Sequence, residues 1–179
     1  LEHRIVDPVT GYDLPPGEDG EILVRGYSLL HSRYKVERAD VLDPDGWLHT
    51  GDSGRLDDEG WLYFTGRLGE MIKTAGGTNV TPAEVEAALV GLPGVAEAYV
   101  CGVPDPSGTV GTQLVAAAIV PRPGETVDVD DARTALKERL SAFKIPKYIW
   151  VCEKSALPFT DSGKLRKADL ATMLATQVG

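Results

Sequence analysis

Ten residues near the end of the chain gather the groups best suited to holding an anion: Pro158-Phe159-Thr160-Asp161-Ser162-Gly163-Lys164-Leu165-Arg166-Lys167. Downstream, Leu165, Ala168, Met173 and Leu174 fit an apolar stripe at helical spacing, which predicts a terminal helix starting at Ser162 or Gly163. Lys164, Arg166 and Lys167 would then crowd the first turn, where the helix macrodipole is partly positive and disfavours cations. Such a placement makes sense if an anion is brought there, because free backbone N–H groups and ammonium heads can bind it together. The alternative is a solvated basic turn.

Three further stretches are candidates. In Trp47-Leu48-His49-Thr50-Gly51-Asp52, a carboxylate directly follows a glycine. Asp52 can accept from two neighbouring hydroxyls, as a ribose diol offers, or it is a turn Asp. The stretch from Gly66-Arg67 through Leu68-Gly69, Lys73 and Gly76-Gly77 falls where the pattern changes from all-β to mixed. Leu68-Gly69 is a hinge candidate there, flanked by Arg67 and Lys73, and the glycine pair Gly76-Gly77 lets backbone approach a ligand or makes a turn. Ser107-Gly108-Thr109-Val110-Gly111-Thr112 lacks a following lysine and reads as a plain connection. Ser162-Gly163-Lys164-Leu165 is no Walker loop, since the Ser or Thr after the lysine is missing and Pro158 stands where a glycine is needed. His3, His31 and His49 form no triad or metal pattern, and no metal site is expected.

The elements that must position these residues follow from periodicity. Residues 1–66 read as short strands (3–7, 21–25, 55–56 and 61–65) with a hairpin loop over 57–60. Their core is thin, so they are expected to be left from a truncated β-barrel or sheet of a preceding domain. From about residue 70 the pattern is α+β. Thr81 caps a helix, Pro82 suits its first turn, Glu84 completes a capping box, and Val85, Ala88, Leu89 and Leu92 face inward. Strands are expected over 95–103, 113–120 and 148–152, with a helix over 130–140. The fold class is α+β, a small mixed sheet with helices packed on it. The expected domains are 1–66, a strand remnant, and 67–179, joined at the hinge candidate 68–69.

Of 179 residues, 42% are hydrophobic and the net charge is −9, which excludes general binding to nucleic acid or anionic membranes. No apolar run is long enough to span a bilayer, and no signal peptide is expected. Cys101 and Cys152 lie in strand-like runs, as free thiols of a cytoplasmic protein do. Leu1 opens directly into a strand, which suggests part of a longer chain.

In this order and spacing, the motifs resemble the C-terminal part of an adenylate-forming enzyme, of the acyl-CoA synthetase, luciferase and peptide-synthetase adenylation superfamily. The matching residues are Gly20-Glu21-Ile22, Gly46-Trp47 through Thr50-Gly51-Asp52, Gly66-Arg67 with Ile72-Lys73, and Pro82 with Glu84-Val85-Glu86. Lys144 with Pro146 follows, then Leu157-Pro158-x-Thr160-x-x-Gly163-Lys164-x-Arg166. The resemblance covers essentially the whole chain, and its wording looks most like fatty-acyl-CoA synthetases.

The resemblance implies a ligase that makes an acyl-adenylate from a carboxylic acid and ATP, then passes the acyl group to coenzyme A. It puts Asp52 on the ribose hydroxyls, Arg67 beside the nucleotide, and Lys164 in place as the adenylation lysine. Lys73, Gly76 and Gly77 would face the site during thioester formation, after rotation about Leu68-Gly69. Mg2+ is expected with ATP, though its ligands would lie outside this chain. The implied partners are a preceding N-terminal domain, a fatty acid and coenzyme A. Gly69 departs from the family's usual Asp or Lys at the pivot. The family's phosphate loop ending in Pro-Lys and its adenine-side segment ending in Thr-Glu do not occur, so the chain alone is expected to be inactive. Two other readings stand beside this: a ligase that loads a carrier protein, and a non-catalytic binding module of the same fold.

Overall fold

The computed structural model describes all residues except 30–36, 38–40, 76, 108–110 and 177–179. Two compact units, Leu1–Gly69 and Glu70–Gly179, each form around their own sheet.

The first unit is an antiparallel meander of β1 (Glu2–Val6), β2 (Gly20–Arg25), β3 (Leu48–Leu56) and β4 (Leu62–Arg67), in spatial order β1-β2-β3-β4. Among the described residues the sheet is open and does not close into a barrel. One turn device is used twice. In Asp43-Pro44-Asp45-Gly46-Trp47 and Asp57-Asp58-Glu59-Gly60-Trp61, the leading Asp Oδ1 accepts from the N–H groups two and four residues on. Its own N–H returns to the Trp carbonyl, at 2.8 and 3.1 Å. These Asx turns supply the backbone with partners that no strand provides. The second was expected from sequence; the first was not. Val6, Leu23 and Trp47 form the small core, with the Arg25 guanidinium 4.4 Å and that of Arg4 5.1 Å from the Trp47 ring.

The second unit has a two-stranded ribbon, β5 (Ile72–Lys73) with β6 (Asn79–Val80), and a three-stranded sheet in the order β7-β8-β9. β7 (Val95–Pro104) runs antiparallel to β8 (Gln113–Pro121), and β9 (Tyr148–Val151) runs parallel to it. The sheet is therefore mixed, as expected. Its central strand explains the layering. Val115, Ala117 and Ile119 pack with α1 (Pro82–Val90) and α2 (Val129–Lys137). The alternate residues Ala116, Ala118 and Val120 pack with α3 (Lys167–Thr176). A strand covered on both faces reads as an unbroken apolar run, and the segment 114–120 is one.

Two expectations need correcting. The Thr81 side chain makes no cap hydrogen bond; its hydroxyl lies 3.4 Å from Met71 Sδ. Glu84 completes no capping box, because its two carboxylate oxygens accept from Lys144 Nζ at 2.6 and 2.7 Å. Asp128, in contrast, caps α2 by accepting from the N–H groups of Asp130 and Asp131. Thr81→Ala is therefore expected to cost under about 0.5 kcal/mol and Asp128→Ala about 1 kcal/mol. Denaturant midpoints check the order, and a costlier Thr81→Ala would contradict it.

The second correction concerns α3, which starts at Lys167 and not at Ser162 or Gly163. Phe159 and Leu165 form an antiparallel bridge, and Gly163 lies at φ +78°, a left-handed backbone that ends any helical run and favours glycine. The turn chemistry of Thr-Asp-Ser-Gly outweighed the apolar stripe.

Candidate functional site

Lys164 sits on the turn that replaces the expected helix start. Thr160 N–H donates to the Lys164 carbonyl at 2.8 Å, Lys164 N–H donates to Thr160 Oγ1 at 3.0 Å, and Gly163 N–H donates to the Thr160 carbonyl at 2.9 Å. Arg166 N–H donates to the Pro158 carbonyl at 2.9 Å and closes the base of the turn. Below it, Leu157 is buried and Phe159 meets Tyr99 edge to face, with ring centroids 5.6 Å apart. Tyr99 in turn donates to Glu97, which also accepts from Lys154 Nζ at 2.8 Å. Burial, then this bond to Glu97, pushes the Tyr99 hydroxyl up to about 12. The Lys154 and Tyr99 hydrogen bonds hold the Glu97 carboxyl below its ordinary range.

The three cations of this stretch differ in their partners. Arg166 Nε lies 3.2 Å from Asp169, and Lys167 Nζ lies 2.6 Å from Glu70. Lys164 is exposed, and among the described residues its ammonium has no acidic partner. The cluster resolves into two tethered charges and one available one. Because Lys164 precedes α3, its availability comes from the turn and owes nothing to the helix dipole.

Lys73 and Gly77 belong to the ribbon. Ile72 faces Val80 and Lys73 faces Asn79, and the tip is closed by Thr74 N–H on the Thr78 carbonyl at 2.9 Å. The Lys73 N–H donates to Gln113 Oε1 at 3.1 Å, while its side chain is exposed. Gly77 is exposed at φ +78°, and Gly76 lies outside the described residues. His31 and the segment 108–110 also lie outside them. Leu68 and Gly69 form a short 3-10 turn with Glu70, and a Cβ added at Gly69 would meet nothing within 4 Å.

In the first unit, Asp52 and Arg67 face each other across β3 and β4. Arg67 Nε is 2.8 Å from Asp52 Oδ1, yet that oxygen is shielded from water and accepts no hydrogen bond among the described residues. The two facts are compatible: the charges touch, but the N–H is not aimed along the contact, and directionality is what a hydrogen bond requires. Asp52 thus keeps acceptor capacity in reserve. Glu21 and His49 were not singled out as site residues, although both lie in the motifs. Glu21 is 8% exposed and binds the backbone beside Asp52, a role visible only once the register is known.

Burial pushes both thiols, Cys101 and Cys152, up to about 11, so neither is a thiolate at neutral pH. Among the described residues no group of three His, Cys, Asp or Glu could hold a metal ion, and no helix is long and apolar enough to cross a membrane.

An exposed ammonium on a hydrogen-bonded turn and, in the other unit, a carboxylate beside a guanidinium are groups chemically suited to phosphorylated or carboxylate ligands. Comparison with known proteins narrows the class. Residues 84–164 match the family model of the AMP-binding enzyme C-terminal domain, and Lys164 is the last residue matched. The chain is 44% identical over 162 residues to the 3-(7a-methyl-1,5-dioxo-octahydro-1H-inden-4-yl)propanoyl:CoA ligase of Rhodococcus jostii, covering 89% of this chain and 30% of that protein. It is 39% identical over 169 residues to a feruloyl-CoA synthase of Amycolatopsis, covering 93% of this chain and 33% of that protein. The crystal structure of ATP-bound MatB from Rhodopseudomonas palustris superposes with a TM-score of 0.85 at 30% identity, over 99% of this chain and 35% of that one. Residues 84–164 carry the AMP-binding enzyme C-terminal domain, and the chain is similar over most of its length to CoA ligases and synthetases. It spans about a third of the length of the relatives it matches.

Proposed function

We propose that the chain is the C-terminal part of an ATP-dependent acyl-CoA ligase and supplies its adenylation lysine. The observation that carries this reading is Lys164: exposed, unpaired among the described residues, and held on a turn braced from below. In the first step the acid's carboxylate attacks the α-phosphorus of ATP, the acyl-phosphate bond forms, and pyrophosphate leaves with the electron pair of the broken P–O bond. The two reactants are both anionic. An ammonium between them holds them together and offsets the charge that gathers at the α-phosphate oxygens.

Asp52 would receive the ribose hydroxyls, since its Oδ1, in contact with Arg67 Nε, accepts no hydrogen bond among the described residues. Arg67, whose side chain is 58% exposed, must move aside for a diol to engage both oxygens, and its charge then lies beside the nucleotide. Residues 1–66 would complete the sheet of a preceding domain, and residues 67–179 would turn about Leu68-Gly69 between the steps. A Cβ added at Gly69 would meet nothing within 4 Å, so the hinge position carries no packed side chain. In the second step the CoA thiol attacks the acyl carbonyl and AMP leaves, with Lys73, Gly76 and Gly77 facing the site. Mg2+ would accompany ATP on ligands outside this chain. The free thiols Cys101 and Cys152 support a cytoplasmic setting.

The acid is proposed to be a fatty acid. A substrate panel on the full-length enzyme that includes ferulate and a bulky cyclic propanoate, after the relatives' names, tests that choice. Most of the nucleotide pocket and all of the acyl pocket would belong to the preceding domain. Residues 1–179 alone should therefore release no pyrophosphate above background from ATP and any acid in the panel. Turnover by this piece unaided would overturn the division of labour.

A further inference from the structure

The Asp52 carboxylate owes its position to a bulge whose polar groups are met by side chains. Opposite β2, Glu21 pairs with Ser53 and Leu23 pairs with His49, so β3 advances four residues while β2 advances two. Thr50, Gly51 and Asp52 are thereby set against Ile22 alone. Bulges of this kind re-aim a side chain at the cost of ladder hydrogen bonds. Here those bonds are replaced one by one. Thr50 Oγ1 donates to the Ile22 carbonyl at 2.7 Å and accepts from Asp52 N–H at 3.0 Å. Gly51, at φ +70°, donates its N–H to Glu21 Oε1 at 3.2 Å. Arg67 Nη1 donates to the Thr50 carbonyl at 3.2 Å. The second Glu21 oxygen lies 2.9 Å from His49 Nδ1, and His49 Nε2 is 3.9 Å from Asp43.

A carboxylate left only 8% exposed is costly to maintain unless its oxygens are bound. Both Glu21 oxygens are bound, one by the bulge itself. We propose that Glu21 and Thr50 are positioning residues that aim Asp52 at the nucleotide ribose, and that together they set the preference for a ribonucleotide over a deoxyribonucleotide. The proposal rests on the assignment of Asp52 to the ribose. Glu21 holds the Gly51 N–H, Thr50 ties the two ends of the bulge, and His49 fixes the rotamer of Glu21. Removing either tie lets Asp52 drift by more than the few tenths of an ångström that a two-point contact with a diol tolerates.

The test uses the full-length enzyme and compares kcat/KM in adenylate formation for ATP and for 2′-deoxy-ATP. A hydrogen bond to a charged acceptor sets the expected wild-type preference at about ten- to a hundredfold. Asp52→Ala should bring the ratio close to one. Glu21→Ala and Thr50→Val should each lower it at least threefold, and Glu21→Gln, which keeps an oxygen for Gly51 N–H, should restore most of it. A merely structural role would lower stability and activity toward both nucleotides alike. A wild-type ratio retained in the folded Thr50→Val or Glu21→Ala enzyme would therefore overturn the proposal, even if overall activity falls. A wild-type ratio retained in Asp52→Ala would instead overturn the ribose assignment on which it rests.

Discussion

Lys164→Ala in the full-length enzyme is expected to lower acyl-adenylate formation by about 10²–10³, the usual effect of deleting one preorganised charge donor at a transition state. The magnitude follows from what the structure keeps in place. The turn is held by Thr160, Gly163 and the Pro158 carbonyl, and braced by Leu157, Phe159 and Tyr99; none of these contacts involves the Lys164 side chain. The substitution therefore removes a cation without disturbing the scaffold, and thermal stability should stay within about 0.5 kcal/mol of wild type. Arg166 and Lys167 stand nearby yet cannot substitute, because each is held by a carboxylate. Lys164→Arg should recover only part of the rate, since a planar fork and a compact ammonium place their charge differently. Pyrophosphate exchange checks this. A loss below tenfold in Lys164→Ala would show that the chemistry draws its cation from elsewhere.

The second large effect is on folding. Leu89 is fully buried on α1, in the cluster that contains Ile72, Val100, Val115 and Leu136. Leu89→Ala removes three carbons from a packed interior and is expected to destabilise the second unit by about 2–5 kcal/mol. Val90, the next residue, is 42% exposed, so Val90→Ala should fall within about 0.5 kcal/mol of wild type, helped by the better helix propensity of alanine. Native-state hydrogen exchange of the β7 and β8 amides measures the unit by itself. Equal protection in the two variants would mean that α1 does not hold the sheet.

How far the fold could be read in advance depended on whether the deciding contact was local. In the second unit β7, β8 and the first two helices were legible, because apolar periodicity over nine or ten residues dominates their placement, whereas the two-residue strands β5 and β6 are too short to carry a period and were not expected. The capping box at Thr81 was not, since Glu84 is drawn away by Lys144, sixty residues later. The start of α3 was misplaced because the Thr-Asp-Ser-Gly turn, with Gly163 left-handed, closes a bridge between Phe159 and Leu165 that the apolar stripe alone does not reveal. Residue types singled out Lys164 and Asp52. What they could not give was the difference between Lys164 and its neighbours: Lys167 is neutralised by Glu70, ninety-seven residues away. Nor could they show that Glu21 serves the bulge, a fact of register between β2 and β3.

A tool that enters the site for one step and leaves for the next must matter to only one of them. The most direct measurement is thioester formation by Lys164→Ala from supplied acyl-adenylate and coenzyme A, on the same preparation that fails to make adenylate. The expected rate is within about twofold of wild type, as fits a residue that is absent from that transition state. A loss in this second step as deep as in the first would contradict the account.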